Sequence, residues 1–552
     1  MSTRPRVAVV GSGLAGLATA YLLTKEGADV WLVDKAPRLG FHAWSVELEP
    51  TSSASDSETN ALALDINKRP ASSASEGSRA VDVPMRSFQG GYYPLLIALY
   101  RHLGLPLSSA AFTFSFASLP SGRDLNADDT YFIHSGASGA SLPSMPAQAW
   151  RSPVAFVRGF LTLLGVGLCY VVLLTLSFAS WHGLLGSITY RQLVDAVTAR
   201  LEQPIAFIPL RTPLGRAFRN FATDIVLPLF SAVGTMTADD VWDTRADVLL
   251  DYIHAGVGTS HYTLGGGMSA RDVARLLAEP VRAQGEDHVR LGTGIKSITY
   301  SDDGLTLSLD DDAKLEVDRV VVATQASAAR ALLSTLEPSL PAAEGKRVAR
   351  MRQALAHVHY RDTIVVTHRD RSVLPATPDI RDINLVQPAP RESAGDDTPE
   401  LASCASSAPS SPCPSPAEVT PFFAPELGYT MATHVVAPPG VEPVLQTTNP
   451  AVPIGGELLG VARLERALPL ADDGIISGLR PAGAGAAKPR VFLAGSYAYP
   501  GIPLLEGCVG SARRVVEDMM GREVRSVDWE AGRGSLAGRA WRWRWSPRAG
   551  GY

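Results

Sequence analysis

The sequence predicts an α/β fold in which a discontinuous Rossmann-type nucleotide-binding domain is joined to a mixed α+β second domain. Three observations support this fold class. A glycine-rich strand-turn-helix pattern begins at Val7, an alternating strand pattern occupies residues 290–325, and a second strand-loop-helix pattern begins at Val491. With 552 residues the chain exceeds one ordinary domain, so two domains with sizeable cores are expected.

The N-terminal pattern, VAVVGSGLAG, places Gly11, Gly13 and Gly16 at the GxGxxG spacing between a buried strand and an Ala/Leu-rich helix. The first glycine permits a tight turn, the second lets the backbone approach a pyrophosphate, and the third allows the helix to pack closely on the strand. The helix N-terminus supplies N–H groups to the phosphates. We interpret the pattern as a dinucleotide-binding loop, and as part of the fold rather than a signal peptide, because no convincing cleavage site follows it.

The second strand, DVWLVD, ends in Asp34, and a carboxylate at this position can accept hydrogen bonds from both hydroxyls of a ribose. The same negative charge would repel a 2′-phosphate. In the following KAPRLG segment, Lys35 and Arg38 are placed to reach the adenosine or a phosphate, and the alternative for both is an exposed loop charge.

The central segments predict further elements of both types. Within residues 290–325, GIKSITY, GLTLSLDD and KLEVD form a predicted β-meander that returns to a buried parallel strand, RVVVAT. The periodicity of ALYRHLGL and of SARDVARLLAEPVRAQG predicts helices. Residues 51–79 and 391–418 are Ser-rich and poor in aromatics, which predicts disordered insertions, and residues 521–552 are expected to form a frayed tail without chemistry.

The C-terminal pattern, VFLAGSYAYPGIPLLEGCVGSARR, predicts a strand, a Gly/Pro-rich loop and a helix whose N-terminus points into the nucleotide site. A helix N-terminus at this place would stabilise the negative charge of a reduced flavin, which a nicotinamide enzyme does not need. An ordinary closing αβ unit explains this segment alone equally well. Its pairing with the N-terminal loop favours FAD.

At these motifs the chain resembles the flavin amine oxidase and phytoene desaturase superfamily of FAD-dependent oxidoreductases. The resemblance is carried by VVGSGLAGLATAYLL with VWLVDK, by VDRVVVATQASAARALL at residues 317–333, and by the C-terminal pattern. It implies an FAD-binding domain assembled from residues 1–50, 280–335 and 486–520. It also implies a substrate domain assembled from residues 80–279 and 336–485.

The resemblance also implies site residues. Gly11, Ser12, Gly13, Leu14, Ala15 and Gly16 correspond to the pyrophosphate loop, and Asp34 to the ribose-binding acid, where the family more often has Glu. Ile295 corresponds to a residue whose backbone contacts adenine. The residues beside the ribityl chain and the isoalloxazine ring are Gly495, Ser496, Leu504, Leu505 and Glu506.

Three departures from the family pattern bear on function. The sequence LGFHAW stands where amine oxidases usually have Gly-Gly-Arg, and Leu504 stands where many have a tyrosine of the aromatic substrate cage. No cysteine precedes Gly495 at the position used for covalent attachment, so noncovalent FAD is expected.

Taken as a whole, the resemblance implies oxidation of a small apolar or amine substrate by hydride transfer to flavin N5. An NAD-dependent dehydrogenase and a non-catalytic, membrane-attached nucleotide-binding module are the alternatives.

Other chemistries find little support in the sequence. His357 and His359 are predicted to share a strand face but lack a third metal ligand at a recognisable spacing, so no metal site is predicted. His254 and His261 flank a Gly-rich stretch and either line the substrate side or belong to a loop that enters a helix at Ser269. No catalytic residue is assigned.

The net charge and the cysteine content limit the possible partners and the cellular compartment. A formal net charge of -5 gives no electrostatic reason to expect nucleic acid as a partner. The 4 cysteines show no metal-ligand or disulfide pattern, which favours a reducing compartment on the cytoplasmic side.

The run from Gly159 to Trp181 contains no charged residue and is long enough to cross a bilayer. If both ends of the chain bind one FAD, a single crossing between them would put them on opposite sides of the membrane. We therefore expect a monotopic helix that dips into the membrane surface, with a spanning helix or a buried core helix as the alternatives.

Overall fold

The computed structural model describes residues 4–40, 44–48, 80–84, 86–110, 112–119, 129–134, 136, 141–203, 213–388, 428–437, 441–481 and 489–532. The predicted disordered insertions, residues 51–79 and 391–418, lie outside the described residues, as does the tail beyond residue 532. The described part mixes helices and sheets, as the predicted fold class requires.

The strands, numbered in chain order, are β1 Arg6–Val10, β2 Asp29–Asp34, β3 Trp44–Glu47, β4 Ala80–Val83, β5 Phe88–Gln89, β6 Leu107–Ala110, β7 Phe114–Leu119, β8 Thr130–His134, β9 His261–Leu264, β10 Val289–Leu291, β11 Ile295–Tyr300, β12 Leu305–Leu309, β13 Lys314–Val317, β14 Arg319–Val322, β15 Tyr360–His368, β16 Ile383–Pro388, β17 Met431–Val436, β18 Val444–Thr448, β19 Leu458–Ala467 and β20 Val491–Leu493.

The α-helices are α1 Leu14–Lys25, α2 Pro94–His102, α3 Pro153–Trp181, α4 Tyr190–Glu202, α5 Leu214–Phe221, α6 Leu227–Gly234, α7 Ala238–Asp243, α8 Ala246–Gly256, α9 Ala270–Arg282, α10 Ala326–Leu336, α11 Ala342–Leu355, α12 Asp473–Leu479 and α13 Leu505–Met520. A π-helical turn, Ala222–Val226, joins α5 to α6.

A five-stranded parallel sheet in the order β10-β2-β1-β14-β20 collects strands from distant parts of the chain. In register, Val7 lies opposite Arg319 and Val320 lies opposite Val491. The apolar runs of β1 and β14 are almost entirely buried, as expected of parallel strands covered on both faces. Helix α1 packs on this sheet in a core that it shares with α9 and α13.

The local patterns of the central segment are confirmed. Strands β11, β12 and β13 form an antiparallel meander, and β14 then pairs in parallel with β1. The two predicted helices are α2 and α9, and Ser269 caps α9 through a capping box with Asp272.

A seven-stranded sheet in the order β19-β15-β18-β17-β16-β7-β8 forms the second large layer. The prediction that His357 and His359 share a strand face is wrong. Both side chains are exposed in the turn between α11 and β15, because β15 begins only at Tyr360.

Helix α3 begins at Pro153, where the Ser152 hydroxyl accepts a hydrogen bond from the Ala155 N–H. Only four of its side chains are buried: Cys169, Leu173, Ser177 and Ser180. Over its most apolar 18-residue window only 11% of the helix is buried, so α3 is not a core helix. Among the described residues, α3 is the helix whose length and apolar composition would allow it to cross a membrane.

The beginning of the segment expected to be a frayed tail is packed instead. Residues Trp529–Gly532 form a 3-10 turn against α2, and the Arg101 guanidinium donates to the Ala531 carbonyl. The Trp529 side chain is buried, and its indole N–H donates to the Val524 carbonyl at 3.2 Å. Burial of a large aromatic ring offsets the entropy of ordering the segment.

Candidate functional site

Residues 11 and 16 must be glycine, because other backbone atoms lie very close to them. Gly11 has φ +107°, and a Cβ there would lie 2.7 Å from the Ala323 carbonyl oxygen. A Cβ on Gly16 would lie 1.8 Å from the Gly11 carbonyl oxygen. The turn between β1 and α1 therefore cannot form with larger residues at these two positions.

Gly13 differs from these two glycines, because no protein atom would lie within 4 Å of a Cβ at this position. Gly13 is the N-cap of α1, so the open space lies at the N-terminus of this helix. The Ser12 hydroxyl is buried and has no hydrogen-bond partner among the described residues. An open cradle with a helix N-terminus and an unsatisfied hydroxyl fits a pyrophosphate.

Asp34 lies at the end of β2, beside this cradle. Its Oδ2 accepts the Ser12 N–H at 2.5 Å and its Oδ1 accepts the Ala36 N–H at 2.8 Å. Each carboxylate oxygen retains a lone pair that a ribose hydroxyl can use. The backbone therefore orients this carboxylate at the pyrophosphate loop.

The turn before β11 is joined to the loop after Asp34. The Thr293 N–H donates to the Asp34 carbonyl at 3.1 Å, and the Gly292 N–H donates to the Ala36 carbonyl at 2.9 Å. Partly buried Ile295 follows this turn, whereas Lys35 and Arg38 are exposed at its edge. The structure thus brings Asp34 and Ile295 into one loop cluster.

The C-terminal residues form a tight turn between β20 and α13. The Gly495 N–H donates to the Ser511 hydroxyl at 3.0 Å, and a Cβ on Gly507 would lie 2.8 Å from the Ser496 carbonyl oxygen. Leu504 is buried at the N-cap of α13, and Leu505 packs against the core shared with α1. Helices α1 and α13 therefore pack side by side and bring the two predicted halves of the site together.

Glu506 caps a helix other than its own, a role that the sequence did not indicate. Its two carboxylate oxygens accept the N–H groups of Leu95 and Leu96, each at 3.0 Å, and so cap the N-terminus of α2. Burial raises the pKa of Glu506 to about 8, although the two N–H donors act in the opposite direction.

Aromatic residues that the sequence analysis did not single out surround the loop before Leu504. The Tyr92 hydroxyl accepts the Ile502 N–H at 2.9 Å. The Tyr92 ring lies 4.6 Å from that of Tyr252 and 5.6 Å from that of Tyr93, measured between centroids. No sequence signal identifies them, because Tyr92 lies in the turn before α2, Tyr252 lies on α8, and the two meet only in the fold.

Two arginines were also missed, Arg86 after β4 and Arg466 on β19. Burial raises the pKa of the Cys508 thiol on α13 to about 11. Arg466, Arg86 and the N–H groups of Ala15 and Ser496 act in the opposite direction. An isolated arginine in MRSF or LERALP is indistinguishable in sequence from a surface charge.

The histidines make local contacts. His254 stacks on Trp181 with ring centroids 4.9 Å apart, His261 packs edge-on against Phe112 at 5.6 Å, and the His368 Nε2 bonds to the Thr447 hydroxyl at 2.8 Å. In the part of the chain that the structure describes, no group of three or more His, Cys, Asp or Glu side chains is arranged to hold a metal ion.

A cavity of about 1060 Å³ lies between the first half of α3, α5 and the β8 edge of the seven-stranded sheet. Its lining includes Tyr131, Phe132, Leu161 and Phe221, and none of the predicted cofactor residues. This lining distinguishes the cavity from the cradle at α1.

Comparisons with known proteins agree with this architecture. The family of flavin containing amine oxidoreductases matches residues 14–421, more than half of the chain. An oxidoreductase from Methanosarcina mazei superposes with a TM-score of 0.51 at 12% identity, covering 93% of this chain and 100% of its own. No curated protein matches the chain in sequence.

Two amine oxidases are also among the similar solved structures. Cyclohexylamine oxidase from Brevibacterium oxydans IH-35A has a TM-score of 0.46 at 16% identity, covering 94% of this chain and 100% of its own. Putrescine oxidase bound to putrescine has a TM-score of 0.43 at 16% identity, covering 94% of this chain and 99% of its own.

Proposed function

Because the chain belongs to the flavin-containing amine oxidoreductase family, and is therefore a flavin-dependent oxidoreductase, we propose that it holds FAD noncovalently and oxidises a small apolar or amine substrate. The observation that carries the choice of FAD is the cradle at the N-terminus of α1. There Gly13 leaves open space and the Ser12 hydroxyl is buried without a partner among the described residues.

Each predicted residue has a role in this proposal. Gly11, Ser12, Gly13, Leu14, Ala15 and Gly16 surround the pyrophosphate, which the α1 dipole stabilises. Asp34 accepts the ribose hydroxyls, while Lys35, Arg38 and Ile295 lie at the adenosine end. Gly495, Ser496, Leu504, Leu505 and Glu506 shape the flavin end, at the turn before α13 and in its first residues.

FAD supplies the hydride acceptor, flavin N5, when it is bound. The chain's own contribution is positioning and exclusion of water. Leu504 is buried at the start of α13, and the aromatic rings of Tyr92, Tyr93 and Tyr252 pack behind the loop that precedes it. A substrate C–H held in such a dry pocket needs alignment more than it needs a strong base.

The same residues favour a substrate with a large apolar part. Leu504 offers no polar group, and the tyrosine faces attract either apolar groups or, through the ring quadrupole, a cationic amine. Both substrate classes therefore remain within the proposal.

We further propose that α3 attaches the enzyme to a membrane surface facing the reducing, cytoplasmic compartment. One face of α3 exposes an apolar stripe, in which Leu161, Leu164 and Leu168 are each more than half exposed. The opposite face contacts α8, where the Ser180 hydroxyl donates to Asp251 at 3.0 Å. Tyr252, the next residue, belongs to the aromatic cluster, so α8 connects α3 to the residues that pack against the loop before Leu504.

The test is anaerobic reduction of the purified flavoprotein with a panel of amines, polyenes and fatty acyl compounds. Bleaching of the oxidised flavin absorbance by one class, at a rate that saturates with its concentration, identifies the substrate class. A protein that carries FAD but is reduced by no compound of the panel would be a nucleotide-binding module and not the proposed oxidase. A preparation without flavin absorbance would overturn the cofactor assignment.

A further inference from the structure

The cavity between the first half of α3, α5 and the β8 edge of the seven-stranded sheet has no part in the proposed flavin chemistry. Its volume of about 1060 Å³ lies above the range of about 300–1,000 Å³ that is usual for small-molecule sites. Its inner wall is apolar and aromatic, because Phe132 and Phe221 line it and are buried. The cavity therefore has room for a large molecule with a long apolar part.

One wall of the cavity is the π-helical turn Ala222–Val226, which two side chains of the sheet hold in place. The Tyr131 hydroxyl on β8 donates to the Asp224 carbonyl at 2.6 Å, and the Gln387 amide on β16 donates to the Thr223 carbonyl at 3.1 Å. π-Helical turns are rare and are often found at functional sites. The two hydrogen bonds fix the turn in the position at which Asp224 lines the cavity.

Two opposite charges lie at the opening of the cavity. Arg158 on α3 and Asp224 both line it, and both residues are exposed. Among the described residues, neither the guanidinium nor the carboxylate has a hydrogen bond or an ion pair, so the two charges do not neutralise each other. A ligand with only one charged group would leave the other side chain unmatched. A ligand that carries both a cation and an anion complements the opening.

The α3 residues of the lining connect the cavity to the surface that faces the membrane. Val154, Val157 and Leu161 line the cavity, and each is more than half exposed. Leu161 also belongs to the exposed leucine stripe of α3, so the opening of the cavity adjoins the surface proposed to contact lipid. Arg158 immediately precedes the uncharged run that begins at Gly159. An arginine at the end of an apolar run lies at the level of the lipid headgroups.

We propose that this cavity binds one phospholipid with an ethanolamine headgroup. The Arg158 guanidinium pairs with the phosphate, and the Asp224 carboxylate accepts hydrogen bonds from the ammonium group. The acyl chains lie along Val157 and Leu161 and reach the aromatic inner wall. A choline headgroup has no N–H to donate to Asp224, and a glycerol headgroup has no cation. The proposal rests on the proposed membrane attachment of α3 and adds the identity of the lipid.

The test measures lipid retention by native mass spectrometry of the full-length protein in mild detergent. Dioleoyl phosphatidylethanolamine, phosphatidylcholine and phosphatidylglycerol are supplied separately at equal concentration. Asp224→Asn and Arg158→Gln each remove one charge from the opening of the cavity. Asp302→Asn and Arg216→Gln are the matched controls, because they remove exposed charges that lie outside the cavity lining. Thermal unfolding verifies that each variant is folded.

We expect one ethanolamine lipid per wild-type chain. Asp224→Asn should lower its retention about tenfold and leave the weaker retention of the glycerol lipid unchanged, whereas Arg158→Gln should lower the retention of both lipids. Retention of the choline or glycerol lipid as strong as that of the ethanolamine lipid would overturn the proposal. Retention within twofold of wild type in both folded cavity variants would do the same, as would an equal loss in the controls.

Sedimentation with vesicles separates this proposal from the membrane attachment on which it rests. Phosphatidylcholine vesicles that contain or lack the ethanolamine lipid are used. The folded Asp224→Asn protein should still sediment with both, because its leucine stripe is intact. Wild-type protein that sediments but retains no lipid preferentially contradicts the lipid site alone. Wild-type protein that sediments with neither kind of vesicle contradicts the membrane attachment of α3.

Discussion

Gly13 and Gly16 lie three residues apart in one turn, yet different neighbours constrain them. A side chain on Gly16 would collide with backbone, whereas a side chain on Gly13 would enter the open cradle. The first position is therefore required for the fold of the turn, and the second for what the turn binds.

This difference gives a prediction about two substitutions. Gly13→Asp should leave the protein folded but remove its bound flavin, because a carboxylate would occupy the pyrophosphate position and repel it. Gly16→Ala should destabilise the protein by about 3 kcal/mol or more, because the added methyl group would collide with the Gly11 carbonyl and the turn would have to rearrange. Flavin absorbance and thermal unfolding, measured on both variants, separate the two effects.

Gly13→Ala serves as the control for the charge, since its methyl group has room in the structure. A Gly13→Asp protein that retains wild-type flavin absorbance would show that the cofactor binds elsewhere.

Glu506 gives a prediction about pH. Its folded pKa of about 8 lies above its ordinary value of 4.5, so the folded protein holds a proton that the unfolded chain releases. The resulting stabilisation is complete below about pH 4.5 and is lost as the pH rises through about 8. Glu506→Gln should remove this part of the pH dependence. It should also cost about 1–3 kcal/mol, because one N–H group at the start of α2 loses its acceptor.

The check is the unfolding temperature of wild type and Glu506→Gln between pH 5 and pH 9. The difference between the two proteins should change steadily across this range. A constant difference would mean that the Glu506 carboxyl group does not titrate there.

Residues of the candidate site differ in how far the sequence could identify them. Gly11, Gly13 and Gly16 are recognisable because their spacing within one turn is itself the requirement. Arg86, Arg466 and Tyr92 are not, because their placement depends on packing between segments hundreds of residues apart. A single sequence carries no local trace of such contacts.

Among the elements, α3 shows the same limit. From Gly159 to Trp181 its sequence is uncharged on every side, so periodicity could not distinguish a core helix from a membrane-surface helix. The structure distinguishes its faces by contact: Leu173, Ser177 and Ser180 are buried against neighbouring helices, while the leucine stripe is exposed. Length and composition were predictable, and the buried face was not.

The exposed stripe predicts how α3 responds to charge. Replacing Leu161, Leu164 and Leu168 together with Glu should shift most of the protein from the membrane pellet to the supernatant, because three buried apolar contacts with lipid become charged. Replacement of the same three residues with Ala is the control and should leave most of the protein in the pellet. Fractionation and immunoblotting measure the distribution.

Accessibility of the two termini tests the orientation of α3. Tags at the N- and C-termini should be cleaved by protease from the same side of sealed vesicles. Cleavage from opposite sides would mean that α3 spans the bilayer, and that the two ends do not share one FAD. Wild-type protein recovered without detergent in the supernatant would remove the case for membrane attachment.

At the scale of the whole molecule, the two glycine-rich ends predicted the discontinuous sheet, because each end is a recognisable αβ unit. The order β10-β2-β1-β14-β20 joins them through β14. The seven-stranded sheet was not predicted strand by strand, because its pairings, such as Arg361 opposite Arg466, depend on long-range contacts. The packed segment at residues 529–532 was missed because its stability comes from α2.

The assembled molecule predicts a releasable cofactor. Among the described cysteines, Cys508 lies on α13 with its thiol facing Ala15 and Ser496, and Cys169 lies on α3. Acid precipitation should therefore leave yellow flavin in the supernatant, and mass spectrometry of the pellet should give the mass of the unmodified chain. Flavin that remains with the pellet would demonstrate a covalent bond.

The parallel sheet also has a consequence for biosynthesis. Strand β1 leaves the ribosome first, but its neighbour β14 follows about 310 residues later, and β20 completes the sheet only at Leu493. At about 5 to 20 residues per second, translation separates the first and last strands by about 25 to 100 s. During this interval the nascent chain exposes an unpaired strand edge, the state in which chaperones recognise a polypeptide. A nascent fragment that ends before Met520 lacks part of α13, so cofactor capture by this chain is a late event that follows nearly complete synthesis.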